Sequence, residues 1–243
     1  MNIELLVFNF IVAGVSGFVH GALGLGYGMI AMALLTLVMP YSSGAAIVSW
    51  ALLLVSCQIS WSIRKNIRWG LVIIPCLTMT VGKILGVILL MNLESSILRI
   101  ALGIFLAFYS AIQLAGKDRV CIRGTTAQGA WLCLLGGLFG GVFNVSGPAA
   151  AIYYQSVCRD DTKEYAACLN FTFVPAAVIG VIMHIFYGNY TVNVGYACIA
   201  TAIGVLIFTA AGIAVLKKID AKRMRKYTYI YIGIMGIMIC LFG

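Results

Sequence analysis

The chain reads as long apolar stretches separated by short polar punctuation. Residues 3–39 form one unbroken apolar run, followed by runs at 43–63, 69–91 and 97–115. After the polar stretch GKDRVCIRGTT the order recurs, with a long run at 127–158 and then 165–187, 194–216 and 227–242. A helix needs about 20 residues to cross a bilayer. The three runs that follow each long one have that length. The two long runs exceed one upright helix and fall short of two full ones. Each also carries a cluster that a regular helix has no use for: GALGLGYG at 21–28 and GGVFNVSGPAA at 140–150. The spacing therefore predicts two part-helices meeting at a break in each long run, with the second part-helix starting at Gly26, Tyr27 and Gly28 or at Ser146, Gly147 and Pro148. Pro148 suits a first helical position, where its missing N–H is no loss.

The two halves repeat at an offset of about 120. Gly21 falls on Gly141, Gly24 on Asn144 and Gly26 on Ser146. The ends rhyme too, NLESSILRIALGIFLAFYSAI at 92–112 with KIDAKRMRKYTYIYIGIMGIMI at 218–239. The expected organisation is a first repeat at 1–116, a connecting loop at 117–126 and a second repeat at 127–243. Duplicated halves are a common build of secondary transporters.

Composition places these runs in a membrane. The chain is 63% hydrophobic and 9% charged, with a mean hydropathy of +1.06, whereas soluble domains are roughly a quarter charged. The net charge of +9 reads as basic loops that hold orientation, not as a nucleic-acid surface. Eight cysteines are scattered without a CxxC pair and read as small apolar residues, so neither a metal nor another cofactor is expected. The start, MNIELLVFNF, reads as the first membrane segment and not as a removed signal.

Charge also sets sidedness. Arg64, Lys65 and Arg68 put 64–68 on the cytoplasmic side. Lys117, Arg119 and Arg123 do the same for the central loop, Arg159 and Lys163 for 159–164, and the six basic residues of 217–226 for the last loop. Residues 91–96 and 188–193 are then outside. The segment 127–158 starts and ends inside, so it enters and returns. If 3–39 does the same from outside, the halves have opposite topology. The expected fold is an all-α polytopic membrane protein of two inverted repeats, each a glycine-broken re-entrant helix hairpin plus three transmembrane helices. A competing arrangement has eight full crossings and would put the central and last basic loops on opposite faces.

Irregular backbone at membrane depth is tolerated only where it packs in protein or lines a cavity. Two breaks entering from opposite faces would meet near the midplane. The helix starts there carry N–H groups without partners and a partial positive charge, and glycine allows close approach of an anion. Gly24, Gly26, Tyr27, Gly28, Asn144, Ser146 and Gly147 are the candidate anion-binding residues. Glycines in membrane helices also serve as packing contacts, the reading given to Gly103 and Gly233.

Polar residues within spans extend the list. Lys83 is either a cation for the substrate or a side chain that snorkels to the headgroups. His20 either carries a coupling proton or packs neutral with a donated hydrogen bond. Asn170, with Thr172, is either a ligand or satisfies the carbonyl that Pro175 frees. His184 reads as interfacial, Gln58 as an interhelical hydrogen bond, and Trp61, Trp69, Tyr187 and Tyr190 as an aromatic belt. The acidic residues all fall at ends or in loops, so no carboxylate relay is expected. Ser146 with His184 permits an intramembrane serine protease as a remote alternative, and an anion channel is a nearer one.

GFVHGALGLGYGMIAMALL resembles the glycine-rich signature of the sulfite exporter TauE/SafE family, and GGLFGGVFNVSGPAAAIYY resembles its second copy. The RKNIR loop and LKKIDAKRMRK fit as well. The resemblance implies a secondary transporter or exporter of sulfite, organosulfonates or related small anions, in the bacterial inner membrane, working by alternating access. Tyr27 interrupts the first glycine triplet, and Asn144 and Ser146 replace glycines in the second; their side-chain donors favour a larger or more hydrogen-bonding anion. The expected partners are a small anionic substrate, a coupling proton or Na+, the lipid bilayer and a second copy of the chain as a homodimer, with no nucleic acid.

Overall fold

The structure is a computed structural model and describes residues 3–115, 123–158, 161–215 and 221–242. Most of the connecting loop at 117–126 lies outside the described residues, as do Lys117, Asp118, Arg119, Arg159, Asp160, Lys217, Lys218 and Asp220 and the side chains of Lys222, Arg223 and Arg225. The described residues form ten α-helices and a single 3-10 turn, with no strand: α1 (Ile3–Leu23), α2 (Tyr27–Val38), α3 (Tyr41–Ser62), α4 (Trp69–Asn92), α5 (Ser95–Leu114), α6 (Thr126–Phe143), α7 (Gly147–Val157), α8 (Thr162–Phe186), α9 (Val192–Val215) and α10 (Ala221–Phe242). Seven of them are long and apolar enough to cross a membrane. The chain is an all-helical membrane protein.

Both long runs are broken where the sequence places the breaks, and α2 and α7 begin at Tyr27 and Gly147. The arms are unequal, however. At 1.5 Å per residue α1 is about 31 Å long and α6 about 27 Å, against about 18 Å for α2 and about 16 Å for α7. The first arm is thus of spanning length and only the second is a part-helix. The reason is that neither GVSGFVHG nor GGLFGG breaks its helix: those glycines face a neighbouring helix.

That packing sets the architecture. α1 lies along α9 and α4 along α6. A Cβ on Gly21 would touch the Cα of Gly212 at 3.2 Å, and one on Gly86 would touch the Cα of Gly141 at 2.7 Å. In lipid, van der Waals contact between close backbones drives helix association, and small residues permit it. Gly21, first grouped with the broken segment, is therefore a packing glycine. Gly103 packs against Gly236 and Gly233 against Ser110, joining α5 to α10, as the sequence reading has it. Gln58 Nε2 donates to Leu206 O at 3.0 Å, linking α3 to α9.

The contacts also give directions. Along α1 and α9 the touching positions rise together, Gly14 with Phe208 and Gly21 with Ile213, so the two run parallel; α4 and α6 do the same. α7 runs back along α6, with Ser146 beside Gly136, Tyr153 beside Gly129 and Val157 beside Gly124. Segments flanking the basic loops meet at one end of the bundle, where Arg68 pairs with Glu164 at 3.0 Å. The Glu164 carboxylate raises the pKa of the Arg68 guanidinium further above its ordinary value. Asn189, Met91, Ala46 and Tyr190 meet at the other end. α1 runs toward the basic end and shares a cavity there with Ile59, Ser62 and Thr162; α6 runs toward the other, where Tyr41 reaches Val142.

Candidate functional site

Each long arm ends in the same way. Gly24 (φ 78) and Asn144 (φ 56) take the left-handed conformation. Their N–H groups donate to the carbonyls four residues back, Gly24 N to His20 O at 2.7 Å and Asn144 N to Gly140 O at 3.0 Å. This is a left-handed helix cap, open to glycine and tolerable for asparagine. The equivalence stops there. Gly26 has φ 116, whereas Ser146 has φ −79, so the expected match of Gly26 to Ser146 does not hold in the backbone.

The two breaks touch. A Cβ on Gly28 would collide with the carbonyl oxygen of Asn144, and one on Gly147 would lie 3.4 Å from the Cβ of Leu25. Between them is a cavity of about 30 Å³. Of the ten residues singled out from the sequence, His20, Gly26, Tyr27, Gly28, Lys83, Asn144, Ser146 and Gly147 line it. Gly24 and Asn170 stand behind the wall. Asn170 Nδ2 donates to Gly24 O at 3.2 Å and to Ala166 O at 2.9 Å, and its Oδ1 faces His20 Nε2 at 3.0 Å. Leu52, Phe173, Ala176 and Ala177 supply an apolar side to the cavity.

Lys83 does not snorkel. It is 3% exposed, and its Nζ donates to Gly140 O at 2.6 Å and to Asn144 Oδ1 at 2.8 Å. The ammonium thus caps the carbonyl end of α6, where the helix dipole is negative. Gly180 makes room for it, since a Cβ there would sit 2.5 Å from Lys83 Cε. Among the described residues no carboxylate pairs with it, the Arg68–Glu164 contact being the ion pair present.

His20 has both ring nitrogens engaged. Nδ1 accepts the N–H of Tyr27 at 3.3 Å while Nε2 faces Asn170. The first amide of α2 is therefore not bare, and the neutral ring donates to a side chain rather than a carbonyl. In the second break Ser146 makes no side-chain cap. The start of α7 keeps the N–H groups of Gly147 and Ala149, which a helix cannot satisfy internally.

Several readings change. The carbonyl that Pro175 frees, that of Phe171, faces Cys76 Sγ at 4.0 Å and not Asn170. Thr172 bonds Cys168 O and Tyr154. His184, near the outer end of α8, is fully buried in protein, its Nδ1 2.9 Å from Asn189 Nδ2. It lies outside the cavity that Ser146 lines, so the two form no dyad. Trp61, Trp69 and Tyr187 are exposed as a belt would be, whereas Tyr190 turns in to donate to Ala46 O at 2.9 Å. Sequence reasoning missed Ser49 and Tyr41. Ser49 lines the cavity and donates to Asn144 Oδ1 at 2.8 Å; Tyr41 donates to Val142 O at 2.9 Å. A lone serine in AAIVSWALL was the signal for the first.

The sequence model of the family described as Sulfite exporter TauE/SafE matches residues 9–239. The chain is also 25% identical over 189 residues to the probable membrane transporter protein MJ0441 of Methanocaldococcus jannaschii, an alignment covering 73% of this chain and 70% of that protein. No solved structure matches it.

Proposed function

This chain belongs to the sulfite exporter TauE/SafE family of membrane transporters, and on that premise we propose that it carries small sulfur oxyanions, sulfite first among them, by secondary transport. The observation that carries the proposal is Lys83, an ammonium buried on the wall of the central cavity with no carboxylate partner among the described residues. Burying an unpaired charge costs several kcal/mol. An anion in the cavity would be the missing counter-charge. The start of α7, with Ser146 and the amides of Gly147 and Ala149, supplies donors from the second break, and Gly26 and Gly28 let the guest approach the first. A cavity of about 30 Å³ has room on the order of a water or two, which favours sulfite over extended organosulfonates.

Residues 1–116 and 127–243 act in this reading as two repeats of opposite sense that rock against each other about the touching breaks, exposing the cavity to each face in turn. A coupling proton or Na+, assembly as a homodimer and residence in a bacterial inner membrane belong to the same proposal. The test is a thermal-shift panel of sulfite, sulfate, thiosulfate, sulfonates and carboxylates on purified protein, followed by counterflow in proteoliposomes. A ligand that binds only the folded form raises the melting temperature. Stabilisation and counterflow with sulfite are expected. Stabilisation by carboxylates alone would overturn the substrate class, and flux without counterflow would make the protein a channel.

A further inference from the structure

The two breaks have similar caps but different surroundings. The second is knotted. Val142 O takes the Tyr41 hydroxyl at 2.9 Å, Asn144 Nδ2 donates to Ala45 O at 3.0 Å, and Asn144 Oδ1 takes both Ser49 Oγ at 2.8 Å and Lys83 Nζ at 2.8 Å. One residue further along α3, Ala46 O takes the Tyr190 hydroxyl at 2.9 Å. These bonds tie the end of α6 to the start of α3, and the start of α3 to the α8–α9 turn. They lie next to the Ser49 and Asn144 wall of the central cavity, away from the Arg68–Glu164 end.

The first break is hollow beneath. A cavity of about 230 Å³ lies at the basic end, walled by the end of α1 with Gly24, by Ile59 and Ser62 of α3 with Ile63 just beyond it, and by Thr162, Tyr165 and Ala166 of α8. A smaller one, about 20 Å³, shares Leu23 and Tyr165 with it and shares Leu25, Gly26 and Met29 with the central cavity. Three spaces therefore stand in series along one break, each sharing walls with the next. The partition between the inner two is the Leu25–Gly26 backbone with Met29. It contains Gly26, whose φ of 116 is a backbone conformation that an L side chain rarely adopts, so this partition is made of chain that turns easily.

We infer that the three cavities are a single access route for the anion, running from the basic, cytoplasmic end past Tyr165 and Leu23 to the central cavity. The Leu25–Gly26 partition is its inner gate, and the Tyr41–Val142, Asn144–Ala45 and Tyr190–Ala46 bonds are the opposite seal, which breaks when the site turns outward. The inference rests on the transport reading above and adds where the anion enters and which contacts hold the far side shut.

The route is tested by obstruction. Ala166→Phe from α8 and Ser62→Trp from α3 each place a ring in the largest cavity, the second from an exposed position that does not enter the core. Both variants are expected to melt near wild type and keep the sulfite-induced rise in melting temperature, which is an equilibrium property, while losing sulfite flux in proteoliposomes. In Ser62→Cys, a bulky membrane-impermeant maleimide applied from the cytoplasmic face should stop flux, with none applied from the opposite face and with wild type as the control for native thiols. Flux retained in both ring variants, loss of sulfite stabilisation in Ser62→Trp, or block only from the opposite face would each overturn the route. Absence of sulfite stabilisation and flux in wild type would instead remove the transport reading beneath it.

Discussion

Lys83→Met separates the two demands on a buried ammonium. In the folded protein the ammonium gives two charge-assisted hydrogen bonds, to Gly140 O at 2.6 Å and Asn144 Oδ1 at 2.8 Å. At about 1.5–3 kcal/mol each these contribute roughly 3–6 kcal/mol. Against them stands the several kcal/mol lost in taking an ion without a counter-ion out of water. Methionine has nearly the same length and fits the slot that Gly180 leaves. It orphans no acceptor, because Gly140 O keeps the N–H of Asn144 at 3.0 Å and Asn144 Oδ1 keeps the Ser49 hydroxyl at 2.8 Å. The two large terms nearly cancel, so the ligand-free variant should unfold within about 2 kcal/mol of wild type on either side. The anion response should vanish. A ligand at a hundredfold its Kd stabilises by about 2.7 kcal/mol, and Lys83→Met should show none of it for sulfite at any concentration that saturates wild type. The assay is thermal unfolding with and without sulfite, with flux in proteoliposomes beside it. A variant that melts normally and still responds to sulfite would refute the assignment of Lys83 as the counter-charge.

Gly28→Ala should cost about 1–3 kcal/mol and abolish flux, because the new methyl meets the Asn144 carbonyl and no rotamer relieves a backbone clash. Gly195→Ala, with open space around it, should be neutral or slightly stabilising in the same melting assay. His20→Leu leaves the Tyr27 N–H and Asn170 Oδ1 without their partner and should lower stability by about 1–3 kcal/mol for each group left unpaired, read by chemical or thermal unfolding. Glu164→Gln removes an ion pair that is largely exposed on the arginine side and should leave the melting temperature nearly unchanged, most closely so at high salt.

Sequence pattern alone located the apolar runs, the two breaks and the first residues of α2 and α7, because each is written locally, though not the spanning length of α1 and α6. A run of apolar residues long enough for a bilayer, a glycine where the backbone must turn left-handed, and a proline inside a helix start need no knowledge of the rest of the chain. The charge of the loops put 64–68 and 159–164 on one side, and the Arg68–Glu164 contact brings them together at one end. Eight of the ten residues chosen from the sequence line one cavity, since both breaks must be packed away from lipid and pack against each other. What no local pattern could supply was facing. On a membrane helix apolar residues fill every side, so periodicity does not say which side meets protein. Whether Lys83 reached headgroups or the end of α6, that Gly21 met Gly212, and that His20 found its partner 150 positions away in Asn170 were all decided by which helices lie together. That choice rests on glycine stripes matching across α1 and α9 and across α4 and α6, a property of surfaces that exist only after the helices have formed and met.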